Sequence, residues 1–157
     1  MISCRDAVSD DLDAMHRLLQ ALAEHDGTGR VASIDALRKH GFGDRRLFET
    51  ILAEDAGEAI GLVVFYPDFS TLRGEPGVYV QDLYVVEGRR GVGVGRLLLS
   101  EAIKTAESSW GARYLTLGVS PENTLAISAY ETMGFRPRGY NFLIIDGADL
   151  VNLTGPP

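Results

Sequence analysis

The sequence predicts an α+β fold built on one mixed, mostly antiparallel central sheet flanked by about four helices. The chain has 157 residues, about the size of one domain, and 45% of them are hydrophobic, which suffices for a buried core. Strand-like and helix-like periodicities are mixed along the chain without the strict strand–helix repeat of a parallel sheet. We find no internal repeat, low-complexity tract or long linker, so we expect one domain over residues 1–157.

The first part of the chain is expected to hold a strand and two helices. Ile2–Asp6 is the opening strand. Ser9 is expected to cap the first helix, because apolar residues then recur at helical spacing. Ser33 is expected to cap a second, short helix over Ile34–His40.

A hairpin and a third strand are expected next. Leu47–Ala53 and Glu58–Tyr66 are β-prone and are joined by the turn Asp55–Gly57. The proline- and glycine-rich stretch Pro67–Gly77 is expected to be a loop before the strand Val78–Val86. The remaining elements should be a helix, a strand, a helix and two final strands, over Val94–Ser108, Tyr114–Val119, Thr124–Met133, Tyr140–Ile145 and Leu150–Leu153.

Charge and cysteine content narrow the classes of function. There are 15 Lys and Arg against 22 Asp and Glu, a formal net charge of −7, which disfavours a nucleic-acid partner. The single cysteine, Cys4, fits a reducing compartment. We find neither an uninterrupted apolar stretch near the start nor one long enough to span a bilayer, and the three histidines lack metal-ligand spacing. We therefore expect a cytoplasmic protein without membrane, nucleic-acid or metal partners.

The glycine-rich stretch after the third strand is the most informative motif. It leads directly into a helix and contains, in order, Arg89, Arg90, Gly91, Val92, Gly93, Val94, Gly95 and Arg96. Glycines allow close backbone approach to a ligand, free N–H groups at a helix start attract anions, and arginines match phosphate geometry. These features predict a pyrophosphate site.

Spacing excludes two common phosphate motifs. No lysine follows the glycines, as a Walker loop requires, and Arg96 stands where the dinucleotide fingerprint has its last glycine. The pattern R/Q-x-x-G-x-G/A is met by Arg90, Gly93 and Gly95. Alone, this pattern also fits an ordinary strand-to-helix turn.

A second constellation lies downstream in the stretch NTLAISAYETMGF. Asn123, Ala126 and Tyr130 share one face of the expected helix. They can therefore line one cleft, although an amphipathic helix with a half-buried tyrosine would have the same pattern.

Together the two motifs resemble the GNAT superfamily of acetyl-CoA-dependent N-acetyltransferases, whose fold the chain is then expected to share. The resemblance implies that the Arg90–Arg96 loop holds the pyrophosphate of coenzyme A, and that backbone groups of Leu83 and Val85 pair with its pantetheine arm. It also implies that Tyr130 protonates the leaving thiolate and that Asn123 contacts the cofactor, with Ala126 beside it. Relatives commonly dimerise, so a homodimer is expected.

The stretch FSTLRGEPGVYVQDLYV is similar to the diamine and polyamine acetyltransferase branch of that superfamily. The resemblance makes Phe69, Gln81, Asp82 and Tyr84 the candidate substrate-binding residues. Gln81 stands where the branch has a carboxylate, and Leu72 stands where it has an aromatic residue. With one negative charge fewer, the pocket is expected to favour diamines or amino acids over polyamines.

Acyl transfer to an amine requires a base, because a lysine-like amine with a pKa of ~10.4 is protonated at neutral pH. Asp82 is the candidate base, although a water chain remains an alternative. No serine or cysteine has the setting of a nucleophile, which favours direct attack in a ternary complex.

The sequence therefore predicts transfer of acetyl from acetyl-CoA to a primary amine of a small molecule: a diamine, a polyamine or an amino-acid-like amine. Two alternatives stay open at this point. One is acetylation of protein N-termini, and the other is a non-catalytic coenzyme A-binding module.

Overall fold

The computed structural model describes residues 1–154, which fall into two compact units, one over Met1–Ser120 and one over the described residues from Pro121 onward. The described residues contain one sheet of five strands in the order β1-β2-β3-β4-β5. Neighbouring strands are antiparallel except for the parallel pair β4–β5. The strands are β1 Ser3–Asp6, β2 Glu49–Asp55, β3 Glu58–Ser70, β4 Glu75–Val85 and β5 Leu115–Leu117. The predicted α+β class is confirmed.

Three α-helices belong to the first unit and two to the second, among the residues described. They are α1 Leu12–His25, α2 Ile34–Leu37, α3 Val94–Trp110, α4 Thr124–Thr132 and α5 Val151–Thr154. A π-helical turn, Arg38–Phe42, continues α2, so this region ends two residues beyond the expected His40.

The core of the first unit lies on both faces of the sheet. On one face α1 and α2 pack against the central strands through a cluster of buried residues, which includes Leu12, Met15, Leu18, Leu37, Leu52, Leu62 and Val64. On the other face α3 lies against β2, β3 and β4, and Leu98, Ala102 and Ala106 are fully buried. The sheet is therefore covered on both sides at its centre, where β3 is buried throughout residues 59–65.

The two helix caps expected from serines have different outcomes. Ser33 caps α2 as expected, since its hydroxyl accepts the Ala36 N–H at 3.2 Å. The prediction for Ser9 is wrong, because Ser9 lies inside a 3-10 turn and α1 begins at Leu12. The carboxylate of Asp11 organises this entry instead, accepting the Val8 N–H at 2.8 Å.

The hairpin of β2 and β3 is confirmed, with Ala56 and Gly57 at φ values of 52° and 83° in its turn. The loop predicted over Pro67–Gly77 is wrong, because β3 continues to Ser70 and β4 starts at Glu75. Pro67 has no N–H to donate to β4. It is tolerated in β3 because its register partner Val78 directs its own N–H away from β3, to the Tyr114 carbonyl, so this pair of residues needs no hydrogen bond between the strands.

The predicted strands after α4 are wrong. Residues 140–145 have no regular structure, and helical turns follow at Gly147–Leu150 and Val151–Thr154. A strand requires a hydrogen-bonded partner, and in the described part of the chain this segment pairs with none. The predicted strand Tyr114–Val119 is shorter than expected for the same reason, since β5 contacts β4 only at Val78–Val80.

Candidate active site

A β-bulge interrupts β4 in the first unit. Val64 of β3 pairs with Asp82, whereas the next residue, Phe65, pairs with Val80. Gln81 is therefore an extra residue without a partner on β3. Bulges bend a strand and redirect its side chains, so this position sets the orientation of the candidate residues Gln81 and Asp82.

The edge of β4 beyond the bulge is open in the described chain. In an antiparallel ladder, successive residues direct their backbone N–H and C=O groups alternately toward and away from the neighbouring strand. Val86 donates its N–H to the Ile60 carbonyl of β3 at 2.9 Å, so the backbone groups of Val85 and Leu83 point away from β3. The neighbouring strand β5 does not extend this far. In the described chain no strand pairs with these groups, although the Val85 carbonyl accepts a hydrogen bond from Arg90 Nε at 2.9 Å. The sequence resemblance assigns the backbone of these two residues to the pantetheine arm.

The glycine turn after β4 requires its glycines for backbone conformation. Gly91 and Gly93 have φ values of 75° and 92°, which residues with a side chain rarely adopt. Gly93 is the N-cap of α3, and the first intrahelical bond runs from Leu97 N–H to its carbonyl at 3.0 Å. The N–H groups of Val94, Gly95 and Arg96 precede that bond and point out of the helix start.

The three arginines of the turn are held differently. Arg89 forms an ion pair with Asp55 in the β2–β3 turn at 2.7 Å. The Nε of Arg90 donates to the Val85 carbonyl at 2.9 Å, and its guanidinium lies 5.4 Å from the centre of the Tyr84 ring. Arg96 is exposed on the first turn of α3. The turn therefore combines outward N–H groups with cationic side chains, a donor set that fits a pyrophosphate.

Asp82 lies on the face of the sheet that α1 and α2 cover. Its register partner Val64 belongs to the buried cluster on that face. Burial raises the pKa of the Asp82 carboxyl above its ordinary value, and the negative charge of Asp26 raises it further. Asp26 follows the last residue of α1. A carboxyl with a raised pKa is a better proton acceptor than an exposed one.

Two tyrosines that the sequence analysis did not select lie on the same face. Tyr66 and Tyr79 are ladder partners with ring centroids 5.2 Å apart and an interplanar angle of 28°. The Tyr66 hydroxyl donates to Gln81 Oε1 at 3.4 Å. Neither they nor Asp26 could be assigned from sequence, because strand register and helix packing bring them to Asp82.

The other two candidate substrate residues occupy different positions. Tyr84 packs at the margin of the buried cluster beneath α1. Phe69 is 60% exposed, and strand alternation places it on the opposite face of β3 from Tyr66. The structure thus groups Gln81, Asp82 and Tyr84 on one stretch of β4 but does not bring Phe69 to their face.

The second unit carries the remaining candidates on α4. The Asn123 side chain accepts the Ala126 N–H at 3.1 Å and thereby caps the helix. Tyr130 is half-buried, and its ring lies 5.4 Å from that of Phe135. Gly134 ends this helical segment at φ 96°. Asn123, Ala126 and Tyr130 follow the expected helical spacing.

Residues 1–154 were also searched for a cysteine nucleophile, a metal site and a membrane-spanning helix. Burial raises the pKa of the Cys4 thiol to about 11, so this thiol stays protonated and is a poor nucleophile. Within the same range, no group of three or more His, Cys, Asp and Glu residues could hold a metal ion. No helix there is both long and apolar enough to cross a bilayer.

Comparison with known proteins identifies the family. The acetyltransferase (GNAT) family matches residues 12–135. Thialysine N-epsilon-acetyltransferase of Sus scrofa is 28% identical over 165 residues, covering 96% of each chain. The mouse enzyme of the same name is 30% identical over 140 residues, covering 83% of this chain and 81% of its own.

A solved structure shows the same fold. An integron cassette protein from the mobile metagenome of V. cholerae superimposes with a TM-score of 0.79 over 99% of this chain and 98% of its own, at 19% sequence identity. The family match spans most of the chain and includes the bulge, the glycine turn and α4. The chain therefore belongs to the GNAT family and is an acyl-transferring N-acetyltransferase.

Proposed function

We propose that this enzyme transfers acetyl from acetyl-CoA to a primary amine of a small molecule, a diamine or an amino-acid-like amine. The observation that carries the proposal is Asp82, a half-buried carboxylate beside the open edge of β4 and before the glycine turn. The thialysine acetyltransferases named above act on an amine, which supports this class of acceptor.

The cofactor part of the proposal rests on the fit between the glycine turn and a pyrophosphate. GNAT enzymes generally use acetyl-CoA, which supplies an acetyl thioester. The N–H groups of Val94, Gly95 and Arg96 would bind phosphate oxygens, together with Arg90. Gly91, Val92 and Gly93 shape the approach, and backbone groups of Leu83 and Val85 would bind the pantetheine amides.

Asp82 would remove the proton that the attacking amine must lose. A neutral carboxyl cannot act as a base, so Asp82 works only above its raised pKa. The charge of Asp82 also attracts the ammonium form of the acceptor before proton transfer. Gln81 and Tyr84 flank it and contribute to acceptor binding in this proposal.

The residues of α4 would act on the cofactor in this proposal. Tyr130 would donate its hydroxyl proton to the departing thiolate, and Asn123 and Ala126 would contact coenzyme A. A phenol suits this role because it is neutral at physiological pH. No acyl-enzyme is required, since the amine attacks the thioester directly.

The cellular setting is part of the same proposal. We place the enzyme in the cytoplasm, in keeping with its single cysteine, and without nucleic-acid, membrane or metal partners, in keeping with its net charge of −7. We also propose a homodimer. Phe142, Leu143 and Ile144 are 79%, 95% and 85% exposed, and apolar surface of this kind favours association. Light scattering during gel filtration tests the dimer.

An acceptor screen tests the function. The enzyme with acetyl-CoA is offered small amines and N-terminal peptides separately, and release of the coenzyme A thiol is followed. Turnover with small amines and not with peptides is expected. Turnover with peptides alone would instead assign protein N-terminal acetylation.

A further inference from the structure

The stacked tyrosine pair beside the bulge is not used by the chemistry above. Tyr66 and Tyr79 are both half-buried, so part of each ring remains accessible. The hydrogen bond from the Tyr66 hydroxyl to Gln81 ties the pair to the extra residue of the bulge. The ladder pairing of Tyr66 with Tyr79, in the same two strands that pair Val64 with Asp82, holds the pair in a fixed position relative to Asp82.

Strand geometry gives the distance between this pair and the candidate base. Asp82 pairs with Val64, and Tyr66 lies two residues further along β3 on the same face. Two residues of an extended strand span about 7 Å. The tyrosine pair thus lies about 7 Å from Asp82, a distance that a short carbon chain spans.

A carboxylate lies on each side of the pair, Asp82 on one side and Asp68 on the other. The guanidinium of Arg73 lies 5.4 Å from the centre of the Tyr114 ring on the Asp68 side. Asp68 lies two residues beyond Tyr66 and accepts the hydroxyl of Tyr114 at 3.0 Å. Burial raises the pKa of the Tyr66 hydroxyl, and the neighbouring Tyr79, Asp68 and Asp82 raise it further. Aromatic rings near carboxylates form a favourable site for a cation.

We propose that the Tyr66–Tyr79 pair binds the second cationic group of a diamine acceptor whose first amine reacts at Asp82. This inference rests on the proposed function and adds a specificity-determining site to it. The geometry selects for length, because four to six carbons separate two nitrogens by about 6–9 Å. Shorter diamines fail to reach the pair, and longer ones must bend.

The experiment compares linear diamines of increasing length with monoamines of the same length. Wild-type enzyme should prefer diamines, with the highest kcat/KM at four to six carbons. Tyr79→Leu removes one ring and should lower kcat/KM for the best diamine about 2- to 30-fold, with little change for the matched monoamine. Tyr66→Phe is the control, because it keeps the ring and should keep the preference.

Each other outcome overturns the inference. Equal rates with diamines and monoamines in the wild type would remove the second cation site but leave the proposed function intact, and this result does not depend on whether a variant folds. Equal losses with both classes in Tyr79→Leu would make the pair a cross-strand packing contact. Loss of the preference in Tyr66→Phe would assign it to the hydroxyl rather than the rings. No turnover with any amine would overturn the proposed function and the site together.

Discussion

The glycine turn and the bulge of β4 lie close together in the sequence but are built differently. The turn depends on local backbone conformation, since Gly91 and Gly93 adopt positive φ values and the helix start follows directly. The bulge depends on pairing with another strand, since Gln81 is extra only relative to the register of β3. A sequence motif therefore predicts the glycine turn, whereas the bulge becomes evident only when β4 is paired with β3.

The largest effect on cofactor binding is expected from damage to the turn. Gly93→Asp forces a side chain into a conformation at φ 92° and places a negative charge where N–H groups would bind phosphate. Acetyl-CoA affinity should fall by more than about 100-fold, because at least two charge-assisted contacts would be lost. Isothermal titration calorimetry measures it, and circular dichroism checks the fold.

Gly88→Asp is the matched control for that change. Gly88 lies in the same segment but has no positive φ, and a Cβ there would meet nothing within 4 Å. The control should retain most of its affinity. Equal affinity in the wild type and a folded Gly93→Asp variant would contradict the pyrophosphate assignment.

The role of Asp82, the residue after the bulge, is tested by replacing its carboxylate with an amide. Asp82→Asn should lower kcat/KM for every amine by about 10²–10⁴-fold, the range for a lost general base. The wild-type profile should lose activity as pH falls through the raised pKa of Asp82. An unchanged acidic limb in the variant would mean that the proton leaves through water.

The same substitution should not destabilise the protein. A carboxyl with a raised folded pKa stabilises the fold below its unfolded pKa of ~3.9, and this contribution is lost as pH rises through the folded pKa. Asparagine is neutral at every pH, so Asp82→Asn should melt at an equal or higher temperature at pH 7. A clear decrease in Tm would show that the Asp82 charge has a stabilising partner.

Tyr130 extends the comparison to the second unit. Tyr130→Phe keeps the ring near Phe135 and should lower kcat by about 10²-fold, toward the low end for a general acid because a thiolate is a fair leaving group. Acetyl-CoA affinity should hardly change. Unaffected turnover when chemistry is rate-limiting would leave Tyr130 with a packing role.

The smallest effect is expected at Asp26. Charged and titratable groups that act near Asp82 include Asp26 after α1 and Tyr66 on β3. Asp26→Asn removes one negative charge, so the pKa of Asp82 should fall and the acidic limb should move to lower pH by less than about one unit. Asp13→Asn, an exposed position on the same helix, is the control and should leave the limb unchanged.

The sequence predicted an element correctly where the residues that determine it are close together in the chain. The β2–β3 turn, the Ser33 cap and the helix after the glycine turn depend on residues within a few positions of one another. The prediction failed over Pro67–Gly77, because proline and glycine usually interrupt strands, whereas register placed Pro67 where no N–H to β4 is needed. It also failed over residues 140–145, whose β-propensity has no pairing partner in the described chain.

The sequence by itself determined the mixed fold, the glycine turn and the identity of Asp82 as the candidate base. The mixed fold and the glycine turn follow from composition, φ requirements and the spacing of motifs, which are properties of neighbouring residues. Asp82 follows from the resemblance of its strand to the diamine and polyamine acetyltransferase branch. The tertiary structure decided what surrounds Asp82: the stacked pair Tyr66 and Tyr79, the charge of Asp26 and the open edge at Leu83 and Val85. These contacts depend on strand register and on the packing of α1 across the sheet. A one-residue change of register would turn each side chain to the other face, and no local pattern specifies that choice.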